Sequence, residues 1–326
     1  MHSIKLISYY LIISKGKKIY QVKNVIALFI YNKSDTTNKV LQKILSVKPK
    51  TLIVIADGPK GEKNDIENVK NTRKLIKNID TNCNLVTNFS ESNLGLKDRF
   101  STGMNFIFDH TEQAIILEDD CLPTEGFFRF CDEMLEKYRE EKSISMISGY
   151  NYHGITVIKN SYYFSMYSNI WGWATWKDRW NNFYDSEMVK YQEIKNQKSF
   201  SNIFINSDQE KFISKEFDKV LDKSINTWDY QWTFTNLINK RLSIVPKNNL
   251  VKNIGLGHVN ATHTKRKFKA LLKTLNIRYF IKFPLKHPSV LRQNVLLDIK
   301  ENRKKIIDNS KLSKFVYLFK KLLKLN

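Results

Sequence analysis

Ala114-Ile115-Ile116-Leu117-Glu118-Asp119-Asp120 passes from four apolar residues directly into three acids. An apolar run of this length reads as a buried strand, and a carboxylate cluster at its end delivers negative charge to the margin of a sheet. Adjacent acids repel one another, so the arrangement costs stability unless a cation offsets it. A divalent ion bridging a substrate diphosphate is the usual compensation.

Two similar runs lie upstream. Val25-Ile26-Ala27-Leu28-Phe29-Ile30-Tyr31 closes on the turn-prone Asn32-Lys33-Ser34-Asp35, and Thr51-Leu52-Ile53-Val54-Ile55-Ala56 closes on Asp57-Gly58-Pro59. Between them Val40, Leu41, Ile44 and Leu45 mark a helix over 37–47. A polar helix over 64–77, a strand over 83–86, the loop Asn93-Leu94-Gly95-Leu96 and a helix over 97–108 lead back to the acids. Strand, helix and strand in that order make a parallel sheet the default, so the fold class expected is open α/β. Ligands of such sheets bind outside the carboxyl ends of the strands, where Asn32, Asp57, Asn93 and the three acids all fall.

Downstream, Phe127, Phe128, Phe130, Cys131, Met134, Leu135 and Tyr138 recur at helical spacing, and Ile144 to Ser148 reads as a further strand. The aromatic stretch Trp171-Gly172-Trp173-Ala174-Thr175-Trp176 follows, then a polar helical pattern over 192–222. Asn226-Thr227-Trp228-Asp229-Tyr230-Gln231-Trp232 opens another helix, and Ser243-Ile244-Val245-Pro246 is a short closing strand.

Composition bounds what these elements build. A 42% hydrophobic content over 326 residues supports a sizeable core, while 11 glycines and 6 prolines, with no repeat or Gly/Ser linker, favour one main domain. Cys83, Cys121 and Cys131 have neither the density of a disulfide framework nor the spacing of a zinc site. The apolar stretch over 4–13 is broken by Lys5, Ser8 and two tyrosines and does not read as a signal peptide, and no run reaches the roughly 18 apolar residues of a membrane span. The expected location is cytoplasmic. Of the net charge of +22, eighteen Lys and Arg against three acids after residue 264 contribute +15. In that segment Leu312, Phe315, Val316, Phe319, Leu322 and Leu323 alternate with lysines as in a basic amphipathic helix, which suits an anionic membrane surface. The expected division is an extension over 1–23, a main domain over 24–264 and a basic segment over 265–326.

Asp57-Gly58-Pro59, Asn93-Leu94-Gly95-Leu96, the acidic motif, Trp171-Gly172-Trp173 and Trp228-Asp229-Tyr230 together resemble bacterial glycosyltransferases of the GT-A, nucleotide-diphospho-sugar transferase fold, in the group described as haemolysin-like sugar transferases. The stretch from Ile115 to Pro123 followed by Phe127-Phe128 is also similar to the acidic-motif region of animal N-acetylglucosaminyltransferase I. The resemblance implies a sugar transferred from a nucleotide-diphosphate donor, with UDP the expected nucleotide, to a hydroxyl of a glycan or lipid-linked acceptor. It implies Mn²⁺ or Mg²⁺ as cofactor, Asp120 as direct metal ligand, and Glu118 and Asp119 as acceptors for sugar and ribose hydroxyls. Asp57 is implied to read the uracil or ribose, Asn93 and Lys97 to contact the donor, and Asp229 to be the general base of an inverting transfer. His263 is the implied second metal contact, with His258 its local competitor. Alternation along an extended backbone places Glu118 and Asp120 on one side and Asp119 on the other, so one ion is not expected to use all three.

Two other classes compete. A sugar-nucleotide pyrophosphorylase shares the layered sheet, but Tyr31-Asn32-Lys33-Ser34 stands where a Gly-rich basic phosphate loop is needed. A nucleic-acid-binding protein uses a basic tail, yet three acids at a sheet margin repel phosphates, so no nucleic-acid partner is expected.

Overall fold

The computed structural model describes residues 20–79, 82–197, 203–255 and 279–309. Along the chain run β1 (Val25–Ile30), α1 (Ser34–Ser46), β2 (Thr51–Ala56), α2 (Lys63–Lys77), β3 (Asn84–Phe89), α3 (Leu96–His110) and β4 (Gln113–Glu118). Then come β5 (Cys121–Pro123), α4 (Glu125–Lys137), β6 (Ile144–Ser148), β7 (Tyr162–Ser165), β8 (Trp173–Trp176) and α5 (Lys177–Asn181). The rest is α6 (Val189–Asn196), α7 (Ser207–Leu221), α8 (Asp229–Ile238), β9 (Leu242–Pro246), β10 (Val251–Asn253) and α9 (Val295–Asn309).

Eight strands form one sheet in the order β3-β2-β1-β4-β8-β6-β9-β7. The first four are mutually parallel, β6 and β9 are parallel, and β8 and β7 run against their neighbours. The expected class is therefore the one found: a mostly parallel α/β sheet flanked by helices. The apolar runs are continuous because both faces of the sheet are covered. Ile26, Leu28 and Ile30 of β1 and Ile115 and Leu117 of β4 pack with α1 and α4, whereas Ala27 and Phe29 and then Ala114 and Ile116 pack with α3 and the tryptophans. This alternation is the period-2 geometry of a strand. Thr124 caps α4 by accepting from the Phe127 amide, so the chain turns into that helix directly after β5.

Residues 279–309 pack on this body. Ile281, Phe283 and Leu291 lie against the main core, Gln293 bridges to Phe164, and α9 buries Asp298, Glu301 and Asn302. The Asp298 carboxylate accepts from Ser165 Oγ, the Met166 amide and Gln293 Nε2. Burial pushes its pKa up to about 6 against those hydrogen bonds. A carboxyl raised on folding stabilises fully below its unfolded pKa, near 4, and that contribution is lost as pH rises through 6. Urea titrations from pH 4 to 7 are expected to show a decline of which up to about 3 kcal/mol is absent in Asp298→Asn. The basic helix over 312–323 lies outside the described residues, and no described helix is long and apolar enough to cross a membrane.

Candidate functional site

The carboxyl ends of β1, β2 and β4 open into a cavity of about 540 Å³, within the range of small-molecule sites. Tyr31 and Lys33 enter it from the β1–α1 turn, Asp57 and Lys60 from the turn after β2, and Asn93 and Gly95 from the loop before α3. Glu118 at the end of β4 and Asp119 and Asp120 in the turn after it line the cavity, and Ile170 and Trp171 with Thr227 to Tyr230 complete the lining. Six carboxylates line the cavity against three cations, Lys33, Lys60 and Arg99. A nucleotide diphosphate entering it as it stands meets net negative charge, which requires further positive charge or a protonated acid.

The acidic motif does not behave as a continued strand. β4 ends at Glu118, Asp119 and Asp120 sit in the turn to β5, and one ammonium reaches both: Lys33 Nζ is 3.2 Å from Asp119 Oδ1 and 2.9 Å from Asp120 Oδ2. The expectation that Asp119 faces away from Asp120 is thus overturned, because side-chain alternation stops where the extended backbone stops. Asp119 also accepts from the Tyr31 amide through Oδ2, which ties the β1–α1 turn to the motif. Burial would lower the Lys33 pKa, but the charges of Asp119 and Asp120 outweigh it and hold the ammonium well above the lysine range. Burial, then Asp120 and Asp119, push Glu118 up to about 8. Burial raises Asp119 too, against the opposing charge of Lys33.

β10 pairs antiparallel with β5, and the Ile254 amide donates to the Asp120 carbonyl, which brings Asn253 and Gly255 onto the motif from far along the chain. Asn253 Nδ2 donates to Asp120 Oδ1 over 3.3 Å. A Cβ at Gly255 would lie 2.1 Å from Asp120 Oδ2, so only glycine leaves that oxygen its space. Sequence reasoning missed Lys33, Asn253 and Gly255; their partners lie some 90 to 130 residues away, and no local pattern marks them.

Asp57 lines the cavity, but its carboxylate is committed to the opposite loop. It accepts from the amides of Gly58, Leu94 and Gly95 and from Asn93 Nδ2. Gly58 makes this possible, since a Cβ there would come within 2.3 Å of the Ser92 backbone. Asn93 is at the cavity wall as expected, although its amide nitrogen is spent on Asp57 and the Gly58 carbonyl. Lys97 lies outside the lining, with its Nζ 2.5 Å from Glu187 Oε1.

Asp229, the first residue of α8, also lines the cavity, and its charge contributes to the raised pKa of Glu118. Thr227 Oγ1 donates to its Oδ1 and orients the carboxylate. Trp228 fixes this corner by stacking on Phe100 at 3.6 Å and on Trp173 at 5.6 Å. Of the aromatic residues in the two tryptophan-containing motifs, Trp171, Trp228 and Tyr230 line the cavity, whereas Trp173 and Trp232 are buried in the core. His258 and His263 lie outside the described residues.

Carboxylate oxygens are the hard ligands that Mg²⁺ or Mn²⁺ takes. Among the described residues no set of three acid, histidine or cysteine side chains encloses an ion by itself. The cavity fits an ion held by one or two carboxylates and completed by water and substrate phosphate, with Asp120 Oδ2 the oxygen that Gly255 leaves clear.

No family model and no curated protein sequence matches this chain. Among solved structures it is similar to the mannosyltransferase PcManGT from Pyrobaculum calidifontis in complex with GDP-Man and Mn²⁺, at 12% identity and a TM-score of 0.32, over 54% of this chain and 53% of that one. It is also similar to a UDP-glucose pyrophosphorylase complexed with UDP-glucose, at 10% identity and a TM-score of 0.33, over 72% of this chain and 94% of that one. The chain thus spans about half the length of the mannosyltransferase.

Proposed function

We propose that this protein is a metal-dependent glycosyltransferase that moves a sugar from a nucleotide-diphosphate donor, a UDP-sugar in the first instance, to a hydroxyl of a glycan or lipid-linked acceptor. The observation that carries the reading is one cavity at the strand ends lined by both the acidic turn and Asp229. Asp120 is the group that would hold the ion, and a bound divalent ion would offset the charge of the departing diphosphate. Glu118, at the end of β4 in the same cavity, is placed to hydrogen-bond a donor hydroxyl, and Asp119 keeps the β1–α1 turn in place. Asp57 acts as a positioning residue by ordering the Asn93–Gly95 loop on the donor side.

Asp229 takes the proton of the acceptor hydroxyl as its oxygen attacks the anomeric carbon. Attack from the face opposite the leaving group inverts that centre. Trp171 and Tyr230 offer aromatic faces to the acceptor sugar and exclude water that would hydrolyse the donor. Attachment to an anionic membrane through the basic segment after residue 264 would place the enzyme beside lipid-linked acceptors.

A thermal-shift screen of nucleotide sugars tests the reading, because a ligand that binds only the folded state raises apparent stability by mass action. A UDP-sugar with Mn²⁺ is expected to raise the melting temperature by several degrees, and either alone by much less. Equal shifts with an oligonucleotide, or none with any nucleotide sugar, would contradict it.

A further inference from the structure

Lys33 stands at a position where a lysine is unexpected. It is the residue immediately before α1, a place that favours short hydrogen-bonding side chains and disfavours positive charge, and it makes no capping hydrogen bond there. Its ammonium is instead held between Asp119 and Asp120, with all three side chains largely withdrawn from water. With Lys33 in place both oxygens of Asp120 are engaged: Oδ2 by the ammonium and Oδ1 by Asn253.

We propose that Lys33 is a resident counter-ion that occupies the cation position of the acidic turn and must be displaced when a divalent ion binds, coupling metal entry to donor entry. The inference rests on the metal-dependent reading given above and deepens it. One carboxylate oxygen poorly serves an ammonium and a dication together, because the two cations repel at contact distance. The displaced ammonium keeps its flexible four-carbon stem and remains at the wall of the same cavity, where the added negative charge is a diphosphate. Metal alone therefore costs that cation its closer ion pair, with Asp120, and leaves it Asp119. Metal with a nucleotide diphosphate gives that cation a partner, so each ligand raises the affinity for the other by the same factor.

Titration of MnCl₂, followed by the electron paramagnetic resonance signal of free Mn²⁺, tests this on the full chain with and without UDP. Wild-type protein is expected to bind Mn²⁺ weakly alone and at least about tenfold more tightly with saturating UDP, the size of a modest coupling. Lys33→Met and Lys33→Gln are expected to bind Mn²⁺ alone at least about tenfold more tightly than wild type and to lose most of the UDP enhancement. Lys33→Arg keeps the charge and is expected to remain weak. Both neutral variants leave buried carboxylates unpaired, so their melting temperatures fall without metal and recover with it; recovery by Mn²⁺ reports the same exchange even if one variant folds poorly. Equal Mn²⁺ affinity in all four proteins, abolished by Asp120→Asn, would overturn the displacement and leave the metal site standing. Failure of Mn²⁺ to bind any of them, with or without UDP, would overturn both.

Discussion

Asparagine in place of Asp120 is expected to lower sugar transfer roughly 10³-fold or more while leaving the fold intact. The size follows from what is removed. A cation beside a departing diphosphate is worth several kcal/mol of transition-state stabilisation, and each 1.36 kcal/mol is a factor of ten in rate. The side chain lines the cavity and not the apolar core, asparagine still accepts from Asn253, and Asp119 still pairs with Lys33, so the protein is expected to remain folded. Removing its charge also relieves Glu118, whose raised pKa owes more to Asp120 than to any other charge. Full activity with Mn²⁺ in this variant would remove Asp120 from the site.

Asp229→Asn is the second large effect and separates chemistry from binding. An amide cannot take the acceptor proton, so kcat is expected to fall by about 10² to 10⁴. Asparagine keeps the size of Asp229, and the residue lies on α8 and not in the acidic turn, so donor affinity measured by titration calorimetry is expected to stay within a few-fold of wild type. The two variants thus fail in different ways: Asp120→Asn in metal and donor binding, Asp229→Asn in turnover. Lost donor binding with normal turnover at saturation would reverse the assignment of Asp229. A retained product anomer, read by nuclear magnetic resonance, would contradict direct displacement.

The central strands of the parallel half of the sheet were legible because both of their faces are buried. β1, β2 and β4 need unbroken apolar runs, and such runs announce themselves. β5 and β10, three residues each, carry no periodicity to detect, yet their pairing delivers Asn253 and Gly255 to Asp120. β8 lies inside the aromatic stretch as Trp173–Trp176, and, paired with β4 and β6, that strand is core. The polar helical stretch over 192–222 is divided between α6 and α7. In the site, residue types were readable and their partners were not. Asp57 had the chemistry to read a donor, but its four hydrogen bonds run to its neighbouring turn and the loop before α3. Lys97 looked suited to a diphosphate and is turned toward Glu187. Lys33 was passed over as a turn residue, although it carries the one positive charge that touches the acidic motif among the described residues.

The acidic turn as a cation-assisted diphosphate grip is tested most directly by anomalous diffraction from crystals grown with MnCl₂ and UDP. A manganese peak bonded to an Asp120 carboxylate oxygen and to the diphosphate, with Lys33 Nζ moved off Asp120 toward a phosphate oxygen, is the expected result. UDP seated in the cavity with Lys33 still bridging Asp119 and Asp120, and no manganese beside them, would contradict it.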